Sequence, residues 1–381
     1  MKLEELQTKI KGYQSSMLEA LEQLVNLESP STDKPALDSY AQKLAARFET
    51  LGAETTLIAN PTSGALLKAT FRTPQIGSDR PGLLLCHYDT VWPLGTIGQQ
   101  PFRVDGDKAY GPGAYDMKAS HVMAEFALRG IIELGLQLPR PIVILFTPDE
   151  EIGSLTSRGI IEEHALQSEY VLVLEPPTAV GALKTARKGV GNFTLQVKGR
   201  AAHAGSQPEL GISAINELAH QILYLQNFAD HEQGTTVNVG VVKGGTRSNV
   251  IAARAEADID VRAWTQQEVE RIESAMASLQ PVSPGVELEV QGGFNRPPMM
   301  RSEAIGDLFY EVQQIGAKLG LDLQEGSTGG GSDGNFTAAL GVPTLDGLGA
   351  MGGGAHAVHE HILVSDLPVR TGLLAAILLE L

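Results

Sequence analysis

The sequence predicts an α/β fold, a mostly parallel sheet with helices on both faces, into which a smaller α+β domain is inserted. Three observations carry this. Short unbroken aliphatic runs such as Gly82-Leu83-Leu84-Leu85 read as strands buried on both faces, as parallel sheets require. These runs alternate with segments of helical periodicity, the natural crossovers between parallel strands. Beyond Arg187 the strands change character: Ala253, Ala255, Ala257, Ile259 and Val261 alternate with Arg254, Glu256, Asp258, Asp260 and Arg262, so one face is dry and the other wet.

Taken in order, a helix is predicted over 3–27, with Leu6, Ile10, Met17, Leu21 and Leu24 on one face, broken by Ser29-Pro30-Ser31. A second helix over 36–51 stops at Gly52, where a C-terminal glycine belongs. Strands follow at 55–59, 66–71 and 82–87, a helix at 117–136, and buried strands at 142–147 and 170–175. Next come a strand at 192–197, a helix at 212–228, strands at 235–242 and 253–262, a helix at 266–279 and a strand at 286–291. That order, strand-helix-strand-strand-helix-strand, is a split βαβ layout. The chain therefore divides into one domain of residues 1–187 and 297–381 and an inserted domain of residues 188–296. The first resumes with a helix at 304–319, a glycine-rich loop, a strand at 342–345 and a closing helix. A length of 381 residues suits two domains, since one ordinary core takes about 150 residues.

Composition excludes several classes. A net charge of −16 argues against nucleic acid and anionic membranes as partners. Cys86 is the single cysteine, so internal disulfides and paired-cysteine metal sites are out and a reducing compartment is compatible. No apolar run approaches about 18 residues, and the first residues lack an apolar signal core, so a cytoplasmic protein is expected.

The chemistry-bearing residues cluster by position. His87 and Asp89 follow the strand at 82–87, where side chains two apart point the same way. A metal-bound imidazole whose second nitrogen is oriented by a carboxylate fits there. Glu150 and Glu151 follow the strand at 142–147, and Glu175 ends the strand at 170–175. Asp116 lies in the turn Gly111-Pro112-Gly113-Ala114-Tyr115-Asp116, and His356 in Gly354-Ala355-His356-Ala357-Val358-His359-Glu360-His361. Each alone has a plain reading: a helix cap, a solvated turn, a strand-end charge, a surface loop. The shared placement of His87, Glu150, Glu151 and Glu175 where buried strands leave the sheet selects a site instead. Two histidines and three carboxylates are the inventory for two zinc-like ions, one carboxylate bridging. Glu150 is then left over as a general base on water.

In His87-Tyr88-Asp89-Thr90-Val91, Gly111-Pro112-Gly113-x-x-Asp116-Met117-Lys118, Asp149-Glu150-Glu151, Glu175-Pro176 and His356 the chain resembles the co-catalytic zinc peptidases and deacylases, peptidase family M20. The likeness spans nearly the whole chain in matching order. Within that family it resembles the glutamate carboxypeptidases in the stretch from Pro101 to Gly113, in Ala201-Ala202-His203-Ala204-Gly205, and in Thr328-Gly329-Gly330-Gly331-Ser332-Asp333. The resemblance implies a metallo-carboxypeptidase or amidohydrolase with two Zn²⁺, replaceable by Co²⁺, on a zinc-peptidase type sheet. It assigns His87 and Glu175 to one ion, Glu151 and His356 to the other, Asp116 to both, Asp89 to orienting His87 and Glu150 to the base. It also implies a cis peptide between Asp116 and Met117. Many members carry asparagine three residues after the last histidine ligand; here that residue is His359, an alternative ligand to His356.

The inserted domain is implied to be a ferredoxin-like lid and dimerisation domain. His203 is cast as an electrophile at the scissile carbonyl, reaching into the partner's site in a homodimer. Asn249, Arg262, Arg296 and the backbone around Gly330 are cast as substrate-binding, with Arg296 receiving a substrate carboxylate and a surface ion pair the plain reading for both arginines. The expected reaction is hydrolysis of a C-terminal peptide or N-acyl amide bond in a small peptide or N-acyl amino acid. An N-acetyl-amino-acid deacetylase or desuccinylase is the alternative within the family, and a non-catalytic metal-binding scaffold the alternative outside it. Glu150 separates the hydrolase from the scaffold, because a scaffold has no use for a carboxylate that binds no metal.

Overall fold

The computed structural model describes residues 2–73 and 80–381. Two compact units emerge: one runs up to Ala186 and takes in Arg301–Thr328 and Ser332–Leu381, the other comprises Arg187–Met300 and Gly329–Gly331. The sequence places these boundaries at 188 and 296, without the glycine segment.

The first unit is built on six strands: β1 (Glu54–Ile58), β2 (Leu66–Phe71), β3 (Gly82–His87), β4 (Ile142–Thr147), β5 (Tyr170–Val173) and β6 (Thr344–Leu345). They lie in the order β1-β2-β4-β3-β5-β6. The pairs β3/β4, β3/β5 and β5/β6 are parallel, while β1/β2 and β2/β4 are antiparallel, so β2 alone runs against the others, one place in from the edge strand β1. Burial follows that division. Every residue of β3, β4 and β5 is buried, whereas β1 is largely exposed.

Alternate residues of these strands feed two separate cores, as a sheet covered on both faces demands. Leu84, Cys86, Ile144, Phe146 and Leu172 join one, packed with the helices Lys34–Glu49, Ala119–Glu133 and Leu367–Glu380. Leu83, Leu85, Val143, Leu145, Val171 and Val173 join the other, with Ile161, Ala165 and Phe336. Ile161 and Ala165 belong to a helix, Arg158–Gln167, that the sequence reading left unassigned. Those two are its only buried residues, so its apolar face is too narrow to register as periodicity. The crossover from β4 to β5, which run parallel on either side of β3, nevertheless needs one.

The single helix predicted over 3–27 is two, Lys2–Lys11 and Gln14–Val25. The break falls at Gly12, and Tyr13 turns out to pack edge-on against Phe126 and donate to Glu133 Oε2 at 2.8 Å. The helix Lys34–Glu49 starts at Asp33, whose carboxylate accepts the Ala36 amide. A small antiparallel sheet, absent from the sequence reading, joins Arg103–Asp105 and Lys108–Tyr110 to His361–Leu363 and Gly352–Gly353. It anchors the segment that carries His356.

The second unit is a four-stranded antiparallel sheet in the order Thr236–Gly244, Arg254–Ala263, Gly189–Lys198, Glu287–Arg296. Its helices Ala214–Leu225 and Gln266–Ala277 cover one face, and the core includes Phe193, Leu195, Leu218, Leu225, Ile259, Val261 and Ile272. Both helices begin at hydroxyl caps, Ser213 on the Asn216 amide and Thr265 on the Glu268 amide. Strand order and connectivity are those of the ferredoxin-like split βαβ fold. Among the described residues, no helix is long and apolar enough to cross a membrane.

Candidate metal centre

The parallel strands deliver their ends to one place. His87 closes β3, Glu175 lies two residues past β5, and β4 runs into Pro148-Asp149-Glu150-Glu151. Asp116 joins from the turn ahead of the helix Ala119–Glu133, with a cis peptide to Met117. His356 arrives in the left-handed conformation at φ 62°, uncommon for a residue with a side chain and frequent at functional positions.

Asp116 stands between the two imidazoles. Its Oδ1 lies 2.9 Å from His87 Nε2, and its Oδ2 lies 3.4 Å from His356 Nε2. Glu175 Oε1 is 3.4 Å from His87 Nε2, and Glu151 Oε1 is 3.1 Å from His356 Nε2. Each histidine thus has one carboxylate of its own and one oxygen of the shared aspartate. Ligand atoms also converge within 4.8 Å in two triads, His87–Glu150–Glu175 and His87–Asp116–Glu151. Glu150 is therefore near enough to be a ligand as well as a base. His359 is exposed.

The electrostatics fit a cation. Among the described residues, Asp116, Glu151 and Glu175 form their ion pairs with histidines, not with lysine or arginine. Burial acts to lower the His87 pKa, yet its hydrogen bonds with Asp116, Asp89 and Glu175 outweigh that and hold it well above the ordinary value. The hydrogen bonds of His356 with Asp116 and Glu151 push it up to about 10. Burial raises Glu151 to about 6, while Asp116, against its own burial, is held well below the usual carboxylate range by His356 and His87. Protons on the histidines thus balance charge that divalent ions would balance instead. Imidazole nitrogen and carboxylate oxygen are the donor set of zinc-like metals.

The surrounding groups fix this arrangement through the backbone. Asp89 is fully buried; Oδ1 accepts the Glu150 amide at 3.1 Å and Oδ2 the Glu151 amide at 3.2 Å, with Ser31 Oγ donating to Oδ2 at 2.7 Å. His87 Nδ1 lies 3.0 Å from the Asp89 carbonyl oxygen and 3.4 Å from its carboxylate. The carboxylate therefore orders the Glu150–Glu151 turn more closely than it orders the imidazole. His121 Nε2 contacts the His87 carbonyl at 2.8 Å and its Nδ1 the Tyr40 hydroxyl at 2.9 Å. Burial lowers the His121 pKa to about 3, so it is neutral, donating from Nε2 and accepting from Tyr40. The sequence reading missed Ser31, Tyr40 and His121. Their separation along the chain from His87 left no local signal.

The second unit carries the other predicted residues. His203 Nδ1 accepts the amides of Gly205 at 3.1 Å and Ser206 at 3.0 Å, which leaves the proton of the neutral ring on Nε2. The Asn249 carbonyl accepts the Ala204 amide at 3.0 Å, tying it to the same loop. Arg262 pairs with Asp260 on its own strand at 2.6 Å, the surface ion pair of its plain reading. Arg296 is buried, and the Gly330 carbonyl accepts from Arg187 Nη1 at 3.1 Å.

A mostly parallel sheet whose strand ends bring His87, Glu150, Glu151 and Glu175 up to Asp116 and His356 has the donor set of a metallohydrolase. The chain belongs to peptidase family M20/M25/M40, whose model matches residues 83–380. It is 31% identical to carboxypeptidase G2 of Pseudomonas sp. (strain RS-16), over 97% of this chain and 90% of that one. It is 28% identical to succinyl-diaminopimelate desuccinylase of Delftia acidovorans, over 93% of this chain and 96% of the other. The fold also matches Bacillus subtilis YXEP, described as a dinuclear metal binding peptidase, with a TM-score of 0.68 and 16% identity over 97% and 98% of the two chains.

Metal loading at His87 and His356 would displace their protons, so apparent affinity is expected to rise with pH. Calorimetric titration of the chelated protein in buffers of different ionisation enthalpy is expected to show proton release and binding that weakens steadily as pH falls from about 10. His356→Ala is expected to lower metal occupancy and His359→Ala to leave it unchanged; the reverse result moves the ligand to His359.

Proposed function

We propose that this M20-family hydrolase is a two-metal enzyme that cleaves an amide bond next to a carboxylate-bearing residue, in the manner of a glutamate carboxypeptidase. The observation that supports it most is Asp116, one oxygen on each histidine and each histidine with its own further carboxylate. His87 and Glu175 would hold one Zn²⁺, His356 and Glu151 the other, with Asp116 serving both and Co²⁺ able to substitute. Such ions, when bound, polarise a carbonyl and make water acidic near neutral pH.

The chain's own residues do the rest. Glu150 takes the proton from the attacking water and passes it to the leaving nitrogen, held for this by its backbone N–H, which donates to Asp89 Oδ1. His203 presents an Nε2–H donor suited to a carbonyl oxygen gathering negative charge. Arg296 would receive the substrate carboxylate, with Asn249 and the Gly330 backbone as further substrate contacts; Arg262 could join them only by leaving its pair with Asp260. N-acyl amino acid hydrolysis is the second reading, favoured by the likeness to the desuccinylase. The enzyme is further proposed to be a cytoplasmic homodimer. The edge strand Thr236–Gly244 is exposed over most of its length, and the neighbouring helix leaves Ile215, Leu223 and Tyr224 in solvent.

Three results test this reading. Glu150→Gln is expected to keep both ions and the fold while losing at least about 10²–10⁴-fold in kcat, the scale of general-base catalysis. Loss of an ion instead makes Glu150 a ligand. Arg296→Ala is expected to impair substrates ending in Glu or Asp far more than neutral ones, because a bidentate guanidinium–carboxylate pair is lost. A strong preference for small N-acyl groups, indifferent to the leaving residue, selects the deacylase reading. Mixed dimers of Glu150→Ala and His203→Ala chains are expected to regain activity through one intact site if His203 serves the partner, and to stay inactive if it serves its own chain.

A further inference from the structure

The segment after His356 ends in a buried carboxylate that the reaction does not use. Glu360 is 3% exposed. Its Oε2 accepts Trp92 Nε1 at 2.9 Å and the Gly113 amide at 3.0 Å; its Oε1 accepts the amides of Tyr115 at 2.9 Å and Asp116 at 3.0 Å. Its own carbonyl accepts the Gly111 amide at 3.3 Å, and the next residue starts the strand His361–Leu363, paired with Lys108–Tyr110. The turn bearing Asp116 is therefore fastened, at backbone level, to a residue four places beyond His356. Those two side chains meet at 3.4 Å.

We propose that Glu360 is a positioning residue that sets the spacing between Asp116 and His356, and through it the second metal position. The inference rests on the two-ion reading above. A carboxylate alone suits the task, because it offers acceptors in two directions to four N–H donors. Glutamine would turn its own N–H₂ against two of them, leaving buried donors unsatisfied. Outer partners of metal ligands commonly change affinity by about 10–100-fold.

The test titrates chelated full-length protein with Co²⁺, following visible absorption and heat. Wild type is expected to take two ions. Glu360→Gln is expected to bind the ion assigned to His356 and Glu151 at least about 10-fold more weakly, the ion at His87 and Glu175 being less affected. Glu360→Asp, which keeps the charge, is expected to fall between. A folded Glu360→Gln protein that binds both ions as wild type does overturns the proposal. A wild type that binds one ion overturns the two-ion reading instead. Should Glu360→Gln fail to fold, hydrogen exchange on chelated wild type decides: the amides of Gly113, Tyr115 and Asp116 are expected to stay protected, and rapid exchange there rejects the role.

Discussion

The structure turns on the crowding of negative charge around Asp116. Asp116, Glu151 and Glu175 press on two imidazoles, with Glu150 alongside, in partly buried surroundings where like charges repel strongly. Such a group persists only with positive charge inside it and a backbone rigid enough to prevent the carboxylates from turning away. Without metal, the carboxylates favour the protonated forms of His87 and His356. Chemistry that needs water to attack a carbonyl calls for something stronger than protons at the same positions.

Rigidity comes from buried acids that bind no metal in this arrangement. Asp89 gathers the Glu150 and Glu151 amides, and Glu360 gathers those of Gly113, Tyr115 and Asp116. His121, kept neutral by burial, contacts the His87 carbonyl. Each acts on the main chain behind a functional side chain, so the side chain itself stays available. Gly349 completes the packing: its amide bonds the Glu175 carbonyl at 2.8 Å, and a Cβ there would meet the Leu174 oxygen at 2.4 Å. The chain behind Glu175 leaves no room for a side chain.

The second unit divides the labour differently. Its core is independent, and its functional candidates sit on loops and strand ends, where polar groups can be shown to a substrate without disturbing the sheet. The His203 loop fixes one ring nitrogen as acceptor of two amides, so the other is committed to donating. Arg262, by contrast, is engaged by Asp260. A carboxylate two residues away on the same strand face is a nearby partner, which the sequence pattern already contained.

The sequence by itself determined what depends on neighbours along the chain. Period-two burial marked the wet-and-dry strands of the second unit, unbroken aliphatic runs marked β3, β4 and β5, and the strand ends marked His87, Glu150, Glu151 and Glu175. Asp116 and His356 were legible through motif resemblance, since neither follows a strand of the central sheet. Tertiary structure alone decided the remainder. The helix Arg158–Gln167 buries only two side chains and needs the sheet to define its face. β2 runs antiparallel to both of its neighbours, β1 and β4, through pairings that no local pattern encodes. Glu360 reads in sequence as one charge in a histidine-rich loop. Only folding brings it to four donors more than two hundred residues away, because hydrogen bonds between distant segments form where the chain meets itself and leave no periodic trace.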